Sequence, residues 1–326
     1  MNARFSSITL TLAVSAALAS PAIANAQAFP SRGIRIVTPY APGAATDSVT
    51  RIVAKDLAEA WGVSVIVDNK PGGTGSTAAN FVKSQPADGY TIFLGTSAVM
   101  VTNPLLSKQL SYNPERDFTP IARLTLLTPV LVAHPSTPTN TMKEVIALAK
   151  AKPGTLNFAS SGNGSPHHLA LELMQSLTGI DVVHVPYKGG APAINDTIAG
   201  VVQYGFTNIT TSVPHLKTGR LKAIAIGGAK RSAIAPDIPT MAEAGIPGFE
   251  YSLWYGLFAP AGTPASVIAK YSDQLRRSLA KPEVARQLLD QGGEPAYASA
   301  DDTRKFIRSE TALWGKIIKE RNLSID

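Results

Sequence analysis

Two loops rich in Gly, Ser, Thr and Pro each follow an apolar run and precede a helical pattern. The first covers residues 39–47 after the run 34–37, and the second covers residues 160–166 after the run 156–159. The first turn of a helix has unpaired N–H groups and a partial positive charge, so it suits a small anion. Loops of this composition also occur simply where a chain turns sharply. The pair therefore predicts an anion-binding cleft if the loops face each other, and ordinary turns if they do not.

The second loop carries more hydrogen-bonding side chains than a simple turn requires. Ser165 stands where a helix N-cap belongs and Pro166 at the first helical position, which is a favoured pairing. Capping explains these two residues but not Ser160, Ser161 and Asn163 on the same turn. These additional polar side chains predict hydrogen-bond donors for a ligand.

The first loop ends in two residues that could cap a helix, Thr46 and Asp47. We expect Asp47 to serve the cap, because a carboxylate facing an anionic ligand would repel it. A third loop, at residues 95–99, adds the hydroxyls of Thr96 and Ser97. Helix termini contribute up to about 2 kcal/mol each, while micromolar binding needs roughly 8 kcal/mol. Charge-assisted hydrogen bonds of about 1.5–3 kcal/mol each must supply the rest.

Patterns typical of enzymes and cofactor sites are weak in this chain. Residues 73–78 match the loose dinucleotide-binding pattern, but no acidic residue follows about 20 residues later. Residues 95–99 lack the closing Gly of a hydrolase nucleophile elbow. His168 and Glu172 stand one helical turn apart, which would suit zinc, but no third ligand is evident and we expect a surface pair. We therefore expect no catalysis, no metal and no cofactor.

Charge and the N-terminal segment narrow the class of protein. The chain has 326 residues, no Cys and a formal net charge of +7, which suits an acidic small molecule. Its basic residues are scattered rather than clustered with aromatics, so we expect no nucleic-acid partner. Arg4, an apolar stretch over residues 8–19, and the small residues Ala24 and Ala26 are typical of an export signal. The sequence thus predicts a periplasmic protein that begins near residue 27.

Short apolar runs alternate with helical patterns along most of the chain. Such runs predict an α/β protein whose sheets are mainly parallel and covered by helices on both faces. Two long extended segments, residues 124–135 and 251–260, break the pattern and fit either two hinge crossings between lobes or two edge strands. The predicted division is a signal peptide over 1–26, a first lobe over 27–129 plus 256–326, and a second lobe over 130–255. The predicted strands are 34–38, 63–67, 91–94, 130–133, 156–159, 182–185, 201–206 and 221–226.

Ordered stretches over essentially the whole mature chain resemble the extracytoplasmic solute receptors of the tripartite tricarboxylate transporter family, also called the Bordetella uptake family. The stretches include Val67-Asp68-Asn69-Lys70-Pro71-Gly72, Ala87-Asp88-Gly89-Tyr90-Thr91, residues 157–165, His184-Val185-Pro186-Tyr187-Lys188-Gly189 and residues 254–264. The resemblance implies a two-lobe periplasmic binding fold (type II-like, of the Venus flytrap kind) that closes on a small organic acid. It also implies delivery to a membrane permease with one large and one small integral subunit. We expect the receptor to be a monomer.

The resemblance further implies which residues hold the ligand carboxylate. They lie in the first loop, at the strand end near residue 96, in the second loop, and at two positions bordering the same pocket. They are Tyr40, Gly43, Ala44, Ala45, Thr46, Thr96, Ser97, Ser160, Ser161, Asn163, Gly164, Ser165, His167, Thr207 and Asn208.

Two departures from the family's usual pattern bear on the ligand. Ala44 and Ala45 stand where the first loop usually has more glycine, and their methyl groups would narrow the pocket. Thr207 precedes Asn208 where many members have Asp, which removes a partner for a ligand ammonium group. We therefore expect a plain mono- or dicarboxylate, aliphatic or aromatic, rather than an amino acid.

Two other classes of function stay open at the level of sequence. One is an exported serine hydrolase that uses Ser165 or Ser97 with His167. The other is a ligand-sensing module that reports to a membrane kinase through the same pocket. Ester turnover would indicate the first, and a co-purified signalling partner the second.

Overall fold

The computed structural model describes residues 29–324, in which eleven strands form two sheets. The predicted signal peptide, residues 1–26, lies outside the described residues. The strands are β1 (Ile34–Thr38), β2 (Val65–Asn69), β3 (Thr91–Thr96), β4 (Phe118–Leu127), β5 (Pro129–Ala133), β6 (Asn157–Ser160), β7 (Val183–Pro186), β8 (Tyr204–Asn208), β9 (Lys222–Ile226), β10 (Leu253–Pro260) and β11 (Glu294–Ala298).

Helices connect the strands and cover the sheets. A 3₁₀ turn (Gly73–Gly75) and a π-helix (Ala98–Thr102) precede α2 and α3. The α-helices are α1 (Ala45–Trp61), α2 (Ser76–Lys83), α3 (Asn103–Leu106), α4 (Pro114–Asp117), α5 (Met142–Ala151), α6 (Pro166–Thr178), α7 (Gly190–Ile198), α8 (Ile209–Lys217), α9 (Ala265–Leu279), α10 (Pro282–Asp290) and α11 (Ala300–Glu320). None of the helices within residues 29–324 has both the length and the apolar character needed to cross a bilayer.

Both sheets repeat one strand order. The first runs β2-β1-β3-β10-β4 and the second runs β7-β6-β8-β5-β9, with β11 added beside β4 in the first. In each sheet the first three strands are parallel and the remaining pairings are antiparallel. The predicted α/β class with helix-covered sheets is confirmed, and each mainly parallel sheet is mixed because one or two strands run in the opposite direction. The reason is that β10 and β5 each enter their sheet from the other one and run against the parallel strands.

The two extended segments cross between the sheets. Thr128 alone separates β4 of the first sheet from β5 of the second, and residues 227–252 lead back from β9 to β10. Strands β4, β5 and β10 are all interior, so the edge-strand interpretation does not hold. We call the first sheet with its flanking helices lobe 1 and the second sheet with its helices lobe 2. The predicted residue limits of the two lobes remain a prediction.

Helix α1 is amphipathic and packs its apolar side against one face of the first sheet. Val49, Val53 and Leu57 recur at helical spacing and are buried with Ile34 and Ile36 of β1. The helix ends at Gly62, whose φ of 66° is the left-handed conformation that glycine adopts most readily. This packing holds the N-terminus of α1, and hence the first loop, at the end of β1.

A second core runs between the lobes along the returning crossing. The ring of Tyr251 packs against Trp314 of α11, with ring centroids 4.7 Å apart. The ring centroid of Phe249 lies 6.5 Å from that of Phe206 in β8. One short segment thus contacts a helix of lobe 1 and a strand of lobe 2. The crossing is a packed hinge rather than a free linker.

Candidate functional site

In lobe 1 the candidate residues lie at the carboxyl edge of two parallel strands. Because β1 and β3 pair in parallel, Tyr40 and Thr96 follow or end them at the same edge. Burial raises the pKa of the Tyr40 phenol, although the Thr96 hydroxyl lies close enough to act in the opposite direction. The phenol therefore stays protonated at neutral pH and can donate. Ser97 is buried next to Thr96, at the start of the π-helix.

The first loop leads into α1 without a side-chain cap. The N-cap is Ala44, so the prediction that Thr46 or Asp47 occupies that position was wrong. Asp47 instead stands at the third helical position and reaches back to accept a hydrogen bond from the Gly43 N–H at 3.0 Å. Its carboxylate also accepts from Arg51 Nε and Asn69 Nδ2, both at 3.0 Å. Burial raises the pKa of Asp47, but these hydrogen bonds outweigh it and hold the pKa below its usual value, so the charge is already compensated.

Two threonine hydroxyls in this part of lobe 1 are buried without a partner. Within residues 29–324, neither Thr38 Oγ1, at the end of β1, nor Thr46 Oγ1, in the first turn of α1, has a hydrogen-bond partner. Only 3% of Thr46 is exposed. A buried polar group left unpaired costs about 1–3 kcal/mol, so these hydroxyls are suited to a ligand oxygen or an ordered water. Thr46 was among the residues predicted from the sequence, whereas Thr38, the last residue of β1, was not.

In lobe 2 the serines of the second loop are held by the protein itself. Ser165 is the N-cap of α6 as predicted, and its Oγ accepts from the His168 N–H at 3.2 Å. Ser160 Oγ lies 2.6 Å from His184 Nε2 and accepts from the Gly162 N–H at 3.1 Å. These contacts, rather than a ligand, account for part of the surplus of polar groups seen in the sequence. Two other predicted residues line the same turn, Gly164 half-buried and Asn163 exposed.

A line of three side chains joins the second loop to the end of β8. Ser161 Oγ lies 2.8 Å from His167 Nδ1, and His167 Nε2 lies 3.2 Å from Asn208 Oδ1. Burial lowers the pKa of His167 to about 4, so the ring is neutral at pH 7. An amide oxygen can only accept, so Nε2 carries the ring proton and Nδ1 accepts from Ser161. The amide nitrogen of Asn208 keeps both of its hydrogens for another acceptor.

Behind the second loop a buried polar network leads to lobe 1. The rings of His168 and His184 stack with centroids 4.0 Å apart, and His168 Nε2 lies 3.3 Å from Glu172 Oε1. Glu172 also forms an ion pair with Arg321, just beyond the end of α11. Burial raises the pKa of Glu172, but hydrogen bonds from His168 and Arg321 prevail and hold it below its usual value. The expected surface pair of His168 and Glu172 was wrong, since both residues are less than 9% exposed.

The register of the strands places both groups of residues beside the first crossing. Thr96 pairs with Tyr255 of β10, and Tyr255 pairs with Thr125 of β4. Four residues after Thr125, Pro129 begins β5 and pairs with Asn208. Adjacent strands lie about 4.8 Å apart. The end of β3 in lobe 1 and the end of β8 in lobe 2 are therefore each separated from the first crossing at Thr128 by no more than a few strand spacings. The predicted residues therefore form two groups, one on each side of the hinge.

Some candidates have mainly local roles. Thr207 is 6% exposed, and its Oγ1 lies 3.2 Å from Thr211 Oγ1 of α8. Ala45 is exposed and Ala44 half-buried at the start of α1. Among residues 29–324, no group of three or more His, Cys, Asp or Glu side chains could hold a metal ion.

Comparison with known proteins identifies the family of this arrangement. Residues 49–323 match the profile of the tripartite tricarboxylate transporter family receptor. The protein BugT of Bordetella pertussis is 34% identical over 306 residues, which cover 94% of this chain and 93% of BugT. A Rhodopseudomonas palustris protein solved with adipate is 33% identical and superposes with a TM-score of 0.75 over 91% of this chain and 99% of the other.

Two further solved structures agree with this match. The protein MatC of Rhodopseudomonas palustris, with bound malate, is 32% identical with a TM-score of 0.70, covering 89% of this chain and 100% of MatC. A ligand-free solute-binding protein from Polaromonas is 27% identical with a TM-score of 0.82, covering 90% of this chain and 99% of the other. The profile match and the identities over nearly full length agree, and the chain belongs to the tripartite tricarboxylate transporter receptor family.

Proposed function

We propose that this protein is a periplasmic receptor that binds a small organic carboxylate between its two lobes and delivers it to a membrane permease of one large and one small subunit. Family membership supports the receptor role, and the relatives solved with adipate and malate support the class of ligand. The permease and the periplasmic location are part of the proposal. Binding would stabilise a closed form that the permease distinguishes from the open one.

The observation that carries the proposal is a pair of unused donors on opposite sides of the hinge. Thr46 offers a buried hydroxyl without a partner at the N-terminus of α1 in lobe 1. Asn208 offers the two hydrogens of its amide in lobe 2, where His167 fixes its orientation. The N-terminus of α6 lies in the same loop and adds partial positive charge. An anion held by both groups would join the lobes, and only neutral donors would contact it.

Replacement of Thr46 tests this site directly. In Thr46→Val the side chain keeps its shape and loses only the hydroxyl, so we expect dicarboxylate affinity to fall at least fivefold while the melting temperature stays the same or rises. Thr50→Val is the matched control, because Thr50 Oγ1 donates to the Thr46 carbonyl oxygen at 2.6 Å and is already satisfied within the helix. Unchanged affinity in Thr46→Val, with ligand bound by the parent protein, would refute this placement of the site.

The class of ligand is tested with a calorimetric and thermal-shift panel. Adipate, malate, succinate and terephthalate should raise the melting temperature by mass action, and glutamate and aspartate should raise it less. The physical reason is that Thr207 stands where an acidic residue would be needed to pair with an ammonium group. Stronger binding of glutamate than of succinate at the cleft would overturn this choice of ligand.

The line Ser161–His167–Asn208 raises the alternative of a serine hydrolase, with a different serine from those that the sequence suggested. It places a hydroxyl, an imidazole and an amide in hydrogen-bonding order, as acyl-transfer enzymes do. However, a general base works best when its pKa is near the working pH, and burial lowers that of His167 to about 4. We therefore propose that the line positions Asn208 and performs no catalysis. Turnover of p-nitrophenyl esters that Ser161→Ala abolishes would show the opposite.

A role in sensing would use the same cleft and differ only in the partner. Cross-linking in the ligand-bound state should capture integral permease subunits. Recovery of a membrane kinase instead would indicate the sensing role.

A further inference from the structure

A cavity of about 770 Å³ lies at the hinge, and no residue predicted to hold the carboxylate lines it. Its wall includes Thr128 at the first crossing and both Gly228 and Ser252 at the second. Leu313 of α11 closes another side. The cavity is therefore separate from the proposed carboxylate site, and it touches both segments through which the lobes are connected.

Arg123 of β4 offers a guanidinium to this cavity. Its Nε donates to the Ala296 carbonyl oxygen at 3.1 Å, and its guanidinium lies 4.6 Å from the centre of the Phe306 ring. Within the described part of the chain, its two terminal amino groups have neither a hydrogen bond nor an ion pair. The side chain is partly buried and held in place at one end. Such a fixed guanidinium matches the two oxygens of a carboxylate.

Two carboxyl groups line the same cavity. Glu310 of α11 is 8% exposed, and its Oε2 accepts a hydrogen bond from Trp254 Nε1 at 2.6 Å. Glu250 of the second crossing is exposed to solvent. Neither carboxyl forms a direct ion pair within residues 29–324, although Arg123 is close enough to act electrostatically on both. Burial raises the pKa of Glu310 to about 7, with Glu250 acting in the same direction and Trp254 and Arg123 in the opposite one. A cationic group of a ligand would relieve the repulsion between the two carboxyls.

Apolar side chains form part of the remaining wall. Leu126, Pro295, Phe306 and Leu313 contribute side chains between the charged groups. The other charged residues of the wall are Arg231, which pairs with Glu243, Glu294, which accepts a hydrogen bond from the Ser232 hydroxyl, and Lys230, which is exposed to solvent. Among the described residues, the cavity thus combines a partly buried guanidinium whose terminal amino groups are free, two carboxyls outside any direct ion pair, and apolar side chains between them.

From this combination we propose that the hinge cavity is a binding site for a zwitterionic α-amino acid with an apolar side chain. The carboxylate of the amino acid would contact Arg123, and its ammonium group would contact Glu310 and Glu250. The side chain would pack against Phe306 and its apolar neighbours. This site goes beyond the proposed carboxylate function and does not depend on it.

Binding at this position would be coupled to closure of the lobes. Both crossings contribute to the wall, so any relative movement of the lobes changes the cavity. A ligand that favours one arrangement shifts the equilibrium towards it, and the effect on a second ligand is reciprocal. The amino acid and the cleft carboxylate would therefore change each other's affinity by the same factor.

Calorimetry with L-leucine and two analogues tests the site. 4-Methylpentanoate lacks the ammonium group of leucine, and 3-methylbutylamine lacks its carboxylate. We expect leucine to bind the wild-type protein and each analogue to bind this cavity at least tenfold more weakly. Arg123→Gln and Glu310→Gln should each weaken leucine binding at least tenfold. Arg304→Gln is the matched control, because this arginine of α11 pairs with Asp301 and does not line the cavity.

The outcomes separate this site from the cleft. Absence of leucine binding to the wild-type protein would overturn the proposal. So would leucine binding that Thr46→Val weakens and Arg123→Gln does not, since that would place leucine in the cleft. Should Arg123→Gln fail to fold, Arg123→Lys keeps the charge and should weaken leucine binding by a smaller factor. Dicarboxylate binding to Arg123→Gln, measured in parallel, reports on the proposed carboxylate function independently.

Measuring proton release on leucine binding provides a second test. A purely structural role of Glu310 would not cause such a release. The groups facing Glu310 are Arg123 of β4, Glu250 and Tyr251 of the second crossing, and Trp254 of β10. An ammonium group beside Glu310 favours its ionised form, so leucine binding at pH 7 should release a proton. The binding enthalpy should then differ between phosphate and Tris buffers in the wild-type protein and not in Glu310→Gln. Equal enthalpies in both buffers for the wild-type protein would contradict the placement of the ammonium group.

Discussion

The buried ring of His167 makes stability depend on pH in a way that can be calculated. Burial lowers the pKa of His167 to about 4 in the folded protein, whereas an imidazole in the unfolded chain titrates near 6.5. Above pH 6.5 both states are neutral at this ring, so the folded protein has its full stability. As the pH falls from 6.5 towards 4, the unfolded chain binds a proton that the folded protein does not. The linkage relation gives a loss of about 2 kcal/mol by pH 5, rising to about 3 kcal/mol near pH 4.

Replacing His167 by Gln isolates this contribution. Glutamine keeps hydrogen-bonding groups for Ser161 and Asn208 but cannot take up a proton. We expect the variant to be less stable than the wild-type protein at pH 8 because the buried side chain is less well packed. The gap should then narrow by about 2 kcal/mol between pH 8 and pH 5, since only the wild-type protein loses the His167 contribution. His184, whose pKa burial also lowers to about 4, titrates in both proteins and cancels in the difference.

Urea denaturation at pH 8, 6.5 and 5 measures the free energy of unfolding of each protein. His215→Gln, a substitution on α8 away from the second loop, controls for the loss of an imidazole. A constant gap between wild type and His167→Gln across this range would refute the argument that His167 is held neutral by burial. A gap that widens at low pH would mean that the ring is protonated in the folded protein.

Three other predictions test the lobes and the loops. Ser165→Ala should lower the free energy of unfolding by about 1 kcal/mol in urea titrations, since it removes the N-cap of α6, and an unchanged value would mean that the cap is not needed. Arg321→Ala should destabilise by about 1–2 kcal/mol, because it leaves the buried Glu172 carboxylate with fewer partners, and Glu172→Gln in the same protein should restore part of the loss. Gly95→Ala should destabilise by about 1–3 kcal/mol in thermal unfolding, since a Cβ atom there would lie 2.6 Å from Phe258 and 2.9 Å from Met100, and an unchanged melting temperature would mean that these side chains give way.

Much of the fold could be predicted because apolar runs mark buried strands. The predicted strand at residues 34–38 coincides with β1, and the run 130–133 forms most of β5. Strand β11 was missed, since Glu294–Ala298 contains Pro and small residues and pairs only at an edge. The antiparallel direction of β5 and β10 within their sheets was not predicted. The direction of β10 depends on where the chain returns from lobe 2, and local sequence does not contain that information.

Local features of the site could be predicted from the sequence, but hydrogen bonds between residues far apart in the chain could not. The pair Ser165 and Pro166 was predicted correctly as a helix start, because N-capping depends on neighbouring residues. The pairing of Ser161 with His167 joins residues six apart, and the contact of His167 with Asn208 spans 41. The ion pair of Glu172 with Arg321 joins residues 149 apart. Such contacts require the tertiary structure, which is why the polar surplus of the second loop was assigned to a ligand alone.

The position of β10 has a consequence for the order in which the polypeptide can assemble. This strand lies between β3 and β4, although 125 residues separate it from β4 along the chain. Until it arrives, β3 and β4 each present an open row of backbone groups, and such edges are prone to intermolecular pairing. The strands of lobe 2, by contrast, are contiguous in sequence between residues 129 and 226. Lobe 2 can therefore mature first, and a nascent or truncated chain that stops before residue 253 would be the aggregation-prone species.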